Sequence, residues 1–233
     1  LIISIWMLTC IPPPDLQDVQ LRAERPPLNR HDRWNFFRKY AVGLTLLLAI
    51  YTALTVLRSV RDDFAVEIWM DLGEANRPEV FAQTETLVMF AVVTLNAAAI
   101  FVRRNRTAFM MSLSIIGGGF LLVVLASILQ TSGVLGPFAF MVLSGIGLYV
   151  PYVAFHTTVF ERLIAATRDK ANLGFLMYLA DSTGYLGYVG VMVTRALGDE
   201  RKNMLSFFHE MSLFVAVAAI VFVTAAAAWF VPR

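Results

Sequence analysis

The chain has 233 residues, of which 58% are hydrophobic and 15% are charged, and its formal net charge is +2 at pH 7. A soluble domain is about half apolar and about a quarter charged, so this composition excludes an ordinary soluble globular protein. The single cysteine, Cys10, excludes an internal disulfide, and the three histidines lack metal-ligand spacing. We therefore expect an all-α, multi-pass membrane protein in the lipid bilayer, without a cofactor or a nucleic-acid partner.

The chain begins with a short apolar segment and a polar connector. Residues 1–11 lack the basic leader and cleavage site of a signal peptide, and prolines follow at 12–14. We interpret 1–11 as the end of a preceding transmembrane helix. Residues 12–39 are predicted to be a cytoplasmic connector, because they carry six basic side chains. Within it, 31–40 is predicted to form a surface helix with aromatic side chains at the membrane interface: Trp34, Phe37 and Tyr40.

Six apolar segments follow and predict a six-helix transmembrane bundle over 40–233. Their approximate bounds are 40–60, 84–102, 108–130, 134–158, 172–194 and 208–231. Thirteen of the 19 lysine and arginine residues fall on one side of these spans. The positive-inside rule makes that side cytoplasmic, including the loops at 103–107 and 161–171. The loops at 61–82 and 195–206 are then external, and both chain ends are inside.

A charged stretch, residues 54–73, closes the first span. In a helix, one face carries four polar side chains: Tyr51, Thr55, Arg58 and Asp62. Arg58 and Asp62 have ion-pair spacing, and Glu85 of the second span is a candidate partner of Arg58 or Arg61. Pairing alone predicts that replacing Arg58 harms function more than replacing Arg58 and Asp62 together, because it strands a carboxylate. The stretch is interpreted as a membrane-surface anchor, a structural network, or an outer gate.

The fourth and fifth spans carry polar residues at helical spacing. In the fourth these are Tyr149, Tyr152 and His156, with Pro151 predicted to kink the helix, and in the fifth Tyr178, Asp181, Tyr185 and Tyr188. An aspartate near mid-membrane is expected to be either a proton carrier or solute ligand in a wet cavity, or a neutral structural hydrogen-bonding group. His156 is either a packed side chain or a proton relay. Glycines in the third to fifth spans favour close helix packing.

Six spans after a basic connector, with both ends inside, resemble the C-terminal half of a major facilitator superfamily transporter. More narrowly, three motifs resemble an uncharacterised bacterial membrane-protein family of this type: IPPP–D–R–RPPLN, RSVRDDFAVEIWMDLG and YLADSTGYLGYVG. The superfamily signature between the second and third spans is represented only by RRNR at 103–106, without its usual glycine and aspartate.

The resemblance implies a fragment of a twelve-helix transporter in the bacterial cytoplasmic (inner) membrane, whose partner is a missing N-terminal six-helix half. It implies secondary active transport of a small solute by alternating access, with proton coupling left open. The sequence has no metal cluster, nucleophile elbow or phosphate loop, so we expect no enzymatic activity, although a membrane enzyme or assembly subunit is a further class considered. The alternative is a transporter-like sensor or scaffold. The expected pathway residues are Arg58, Asp62, Glu85, Tyr149, Tyr152, His156, Tyr178, Asp181 and Tyr185.

Overall fold

The computed structural model of the chain describes residues 5–6, 9–10, 29–74, 78–98, 101–102, 104–167, 172–197 and 203–231. Within these ranges, all regular secondary structure is helical. The expectations for 1–11 and for 12–28 of the connector lie almost entirely outside the described residues. The predicted surface helix at 31–40 is present as a helix over Arg30–Lys39.

The helices are numbered in chain order. They are α1 (Arg30–Lys39), α2 (Ala41–Asp63), α3 (Ala65–Asp71), α4 (Pro78–Ala98), α5 (Asn105–Thr131), α6 (Pro137–Ala154), α7 (Phe160–Thr167), α8 (Leu173–Leu197) and α9 (Met204–Phe230). A π-helical turn, Phe155–Val159, joins α6 to α7 without a break. The second span therefore begins earlier than predicted, at Pro78, and the fourth continues beyond its predicted end at 158.

Among the described residues, five helices are long and apolar enough to cross a membrane: α2, α4, α5, α6 with its continuation to Ala165, and α9. The chain is thus an integral, multi-pass membrane protein. Helix α8 has 25 residues, a length of about 37 Å, which suffices to span a hydrocarbon core. It is not among the five, and it carries Asp181, Arg195 and several tyrosines and glycines.

Local sequence signals set several helix ends. The side chain of Asn203 accepts a hydrogen bond from the backbone N–H of Ser206 at 2.9 Å and caps the start of α9. Pro137 occupies the first turn of α6, where a missing N–H costs nothing. Gly133, at φ 76°, supplies the left-handed backbone that the turn between α5 and α6 requires.

The packing of the long helices has an internal correspondence. Helix α2 packs on α8 and α9, α6 packs on α4 and α5, α5 packs on α9, and α2 touches α6. The same set of neighbours results when the first three long helices are exchanged for the last three. The exchange replaces α2 with α6, α4 with α8 and α5 with α9, and the reverse. The two triplets are therefore arranged alike around a common centre, with α2 and α6 innermost and α4 and α8 at the sides.

Glycines permit the closest of these contacts. A side-chain carbon added at Gly147 of α6 would lie 2.7 Å from the carbonyl oxygen of Gly119 in α5. In α8, Gly184 and Gly187 face Thr55 and Thr52 of α2 in the same manner. Backbones approach this closely only where no side chain intervenes, so these glycines serve as packing positions.

The two ends of the bundle differ in charge. Arg162 of α7 donates to the side-chain oxygen of Asn105 at 2.7 Å, which places α7 and the start of α5 at one end of the bundle. Helix α1 lies at that end as well, because Arg33 contacts Phe175 at the start of α8. The described basic side chains gathered there are Arg33, Arg38, Lys39, Arg104, Arg106 and Arg162.

Candidate functional site

Asp62, in the last turn of α2, is the centre of a charged cluster inside the bundle. It accepts hydrogen bonds from Arg58 at 3.1 Å, from Arg61 at 3.5 Å and from the hydroxyl of Tyr149 in α6 at 2.6 Å. The Arg58–Asp62 contact has the i, i+4 geometry that the spacing predicts. Because three donors converge on one carboxylate, Asp62 keeps two partners when any one of them is lost.

Arg61 extends this cluster to two more helices. Its side chain is only 1% exposed, and the same terminal nitrogen donates to Glu85 of α4 at 2.8 Å and to the carbonyl oxygen of Met141 in α6 at 2.9 Å. Gly145 of α6 leaves room for this guanidinium, since an added side-chain carbon would lie 2.9 Å from it. Glu85, at 47% exposure, forms the open edge of the cluster.

Tyrosine rings cover both guanidinium groups. The guanidinium carbon of Arg58 lies 4.4 Å from the ring centre of Tyr152, and that of Arg61 lies 5.8 Å from the ring centre of Tyr149. Such cation–π contacts stabilise a guanidinium more strongly where water is excluded. The Nε atoms of both arginines are buried and have no partner within the described part of the chain. The arginines therefore retain donor capacity inside the cluster.

Tyr51 links a second group of side chains, about two helical turns from Arg58 along α2. Its fully buried hydroxyl donates to Asp181 of α8 and lies 2.9 Å from Nε2 of His156. A hydroxyl has one proton to donate, so when Tyr51 donates to Asp181 it accepts from a protonated Nε2 of His156. His156, Tyr51 and Asp181 then form a hydrogen-bonded chain along which a proton can pass.

The position of His156 depends on an irregularity in the fourth span. Pro151 lies inside α6, where it removes a backbone donor, and the π-helical turn Phe155–Val159 follows four residues later. A π-helical turn holds an extra residue and rotates the side chains around it, and such turns are frequent at functional sites. His156 lies in this turn, with its ring centre 4.4 Å from that of Tyr152.

Most of the predicted pathway residues come together in these two groups, but Tyr178 and Tyr185 do not. They are 77% and 53% exposed, and their place on a solute pathway stays a prediction. Helix α8 packs on α2 through a stripe that includes Gly184 and Gly187. At about 100° per residue, Asp181 lies about 90° from the midpoint of these two glycines, whereas Tyr185 and Tyr178 lie about 130° and about 150° from it.

The predicted pathway set left out two side chains that the structure brings to the site, Tyr51 and Arg61, and it left out Tyr188, which lies on the same helix as Asp181. Tyr51 shares a helical face with Arg58 and Asp62, so its signal was present in the spacing. Arg61 was a possible partner of Glu85, and the structure selects it over Arg58. Tyr188 donates to Asp63 at 2.6 Å, a contact between α8 and α2 that no local spacing reveals.

The side chains of the site can act through their charges and their hydrogen bonds. A hollow of about 290 Å³ lies at its open edge, lined by Glu85, Val88, Met89, Val92, Val93 and Tyr149. No group of three metal-ligating side chains comes together within the described residues. The arrangement can bind a polar solute, exchange a proton, and form or break ion pairs between helices.

The comparisons with known proteins give a family without a function. The whole chain, residues 1–233, matches the model of DUF5690, described as a family of unknown function. No match was found among curated proteins or among solved structures.

Proposed function

We propose that this chain, which belongs to the DUF5690 family of unknown function, is the C-terminal half of a secondary active transporter of the major facilitator type. In this proposal it moves a small solute across a bacterial cytoplasmic membrane by alternating access. The observation that carries the proposal is the polar network that joins four long helices inside an otherwise apolar bundle: α2, α4, α6 and α8.

The network favours function over a purely structural role. Apolar side chains of similar volume often stabilise a protein as well as or better than buried ion pairs do, because burying the charges costs several kcal/mol per ion. In a membrane, ionisable side chains are rare and mark pathways for solutes, ions or protons. Here two arginines and two carboxylates meet beside a second carboxylate–tyrosine–histidine group. A membrane-surface anchor would require neither charged side chains from several helices in contact nor their burial inside the bundle.

The arrangement of helices supports the transporter type. If α8 also crosses the membrane, as the fifth of six spans, the two triplets of spanning helices have the same set of neighbours after exchange. Internal repeats of three helices, with the binding site where the repeats meet, are typical of this class of transporter. In the present chain the polar network lies between α2 and α6, the equivalent innermost helices of the two triplets.

The exposed sides of α4 and α8 are where the other half would sit. Glu85, Tyr178 and Tyr185 are exposed on the sides of the bundle away from α5 and α9. A second six-helix bundle placed there would enclose a cavity with the network on one wall. Opening one end requires the helices at that end to separate, so the Arg61–Glu85 contact between α2 and α4 is a suitable gate.

The chain of His156, Tyr51 and Asp181 suits proton coupling. A proton arriving at Asp181 removes its charge and weakens its attraction for the donor, Tyr51. Because Tyr51 belongs to α2 and Asp181 to α8, this change alters a contact between two helices that flank the proposed cavity. Solute binding and protonation can thereby favour the same conformation, which is what coupled transport requires.

Transport by the full-length protein in proteoliposomes tests the proposal. Vesicles that contain a pH-sensitive dye are mixed with pools of small solutes, and a change in internal pH identifies a pool that moves protons. Uptake of the active solute is then measured with and without a pH gradient. The proposal predicts gradient-driven accumulation, and it predicts that Asp181→Asn binds solute and exchanges it across the membrane but does not accumulate it. Asp63→Asn, an exposed carboxylate with a single tyrosine donor, is the matched control and should transport normally.

Three outcomes would count against this assignment. Solute binding without any flux would favour the sensor or scaffold. Wild-type accumulation by Asp181→Asn would exclude the coupling role while leaving transport intact. Absence of both binding and flux, in a protein shown to be folded, would oppose the transporter itself.

A further inference from the structure

A groove outside the polar network lies between α1 and the start of α8. It has a volume of about 560 Å³ and is lined by Arg33, Trp34, Phe37, Phe175 and Leu179. Trp34 is 63% exposed, and its ring stacks on Phe37 with 6.1 Å between ring centres. Large aromatic rings exposed in this way are stabilised at the boundary between lipid and water rather than in water alone.

The groove lies at the level of that boundary. Helix α1 ends at Lys39 and α2, a membrane-spanning helix, begins at Ala41, so α1 lies beside the end of a span. Tyr40, between them, packs edge-on against Trp229 near the end of α9, another spanning helix. An acyl chain can therefore enter the groove from the apolar side while a headgroup stays at the polar side.

Arg33 gives the groove a preference for negative charge. Its guanidinium carbon lies over the ring of Phe175, 5.7 Å from the ring centre, which is within the range of a cation–π contact. The N–H donors of a guanidinium lie in its plane and suit the oxygens of a phosphate. Five further basic side chains gather at the same end of the bundle: Arg38, Lys39, Arg104, Arg106 and Arg162. Their combined field attracts anionic lipid.

We infer that this groove binds one anionic phospholipid, with its phosphate at Arg33 and an acyl chain along Trp34, Phe37, Phe175 and Leu179. The lining selects this occupant over a polar solute, because its described residues are one charged side chain and four apolar ones. The inference is independent of transport, since it uses no residue of the polar network.

Native mass spectrometry of the detergent-purified protein tests the inference. The probes are phosphatidylglycerol, which is anionic, and phosphatidylcholine, which is zwitterionic, with identical acyl chains. The wild type should retain one molecule of phosphatidylglycerol in preference to phosphatidylcholine. Arg33→Gln should lower the affinity for phosphatidylglycerol about fivefold, because one basic contact is lost, and that for phosphatidylcholine less, because the choline cation offsets the charge of the phosphate. Trp34→Ala should weaken the binding of both lipids.

Arg38→Gln is the matched control, because Arg38 belongs to the same helix but does not line the groove. Equal losses in Arg33→Gln and Arg38→Gln would show diffuse attraction to the basic end and overturn the inference. Equal retention of both lipids by the wild type would also overturn it. A further result would overturn it: the wild type forms dimers without bound lipid, and the Trp34→Ala variant does not form dimers. The groove would then bind a second copy of the chain. Thermal unfolding of each variant shows that it is folded.

Discussion

The position of Asp62 between three donors predicts how the charged cluster responds to mutation. From the sequence alone, removing Arg58 would strand a carboxylate, and removing Asp62 as well would relieve the harm. In the structure, Asp62 still accepts hydrogen bonds from Arg61 and Tyr149 when Arg58 is gone. Removing Asp62 instead deprives two largely buried arginines of a carboxylate. We therefore expect Arg58→Ala to be the mildest change and the double variant the most damaging.

The contacts give approximate magnitudes for the loss in free energy of unfolding. Arg58→Ala removes one charged hydrogen bond, worth about 1.5 kcal/mol, and one cation–π contact of about 0.5–1 kcal/mol, a loss of about 2 kcal/mol. Losing one partner of a buried ion pair costs about 3–5 kcal/mol. Asp62 is 24% exposed and Arg61 keeps Glu85, so the low end applies and Asp62→Ala should cost about 3 kcal/mol. The double variant should cost about 4 kcal/mol, less than the sum, because the two residues share a bond.

Reversible unfolding by denaturant in mixed micelles measures these differences, with the slope of each transition checked against the wild type. The adjacent Asp63→Ala is the control, since Asp63 is exposed and has only Tyr188 as donor within the described residues, and it should cost less than about 1 kcal/mol. If Arg58→Ala proves more destabilising than the double variant, Asp62 depends on Arg58 alone and the three-donor arrangement is wrong.

Two further predictions concern packing and topology. Gly145→Ala should destabilise the protein by about 1–3 kcal/mol in the same unfolding assay, because the methyl group would lie 2.7 Å from Val88 and 2.9 Å from the Arg61 guanidinium. Gly118→Ala, with nothing within 4 Å, should be neutral or stabilising, and equal losses in both variants would exclude the steric explanation. In a cysteine-free background, an impermeant thiol reagent added from outside should label Glu74→Cys and not Arg106→Cys. The reverse pattern would invert the membrane orientation drawn from the basic residues.

The sequence was sufficient to predict that the chain is helical and that it lies in a membrane. A backbone in the hydrocarbon core must form its hydrogen bonds within each segment. An apolar segment of about 20 residues therefore forms a helix there. Contacts within one helix were equally accessible, because the i, i+4 spacing of Arg58 and Asp62 fixes their proximity. The ends were less accurate, since Pro78 and the π-helical turn after Pro151 extend two spans beyond their apolar runs.

Only the tertiary structure decided which residues meet across helices. Glu85 pairs with Arg61 rather than Arg58, and Tyr51 bridges residues 105 and 130 positions away in the chain. The rotation of α8 about its axis turns Asp181 inward and leaves Tyr178 exposed. That rotation follows from Gly184 and Gly187 packing against threonines of α2. Spacing along a helix shows which side chains share a face, but the direction of that face is set by packing against neighbouring helices distant in sequence.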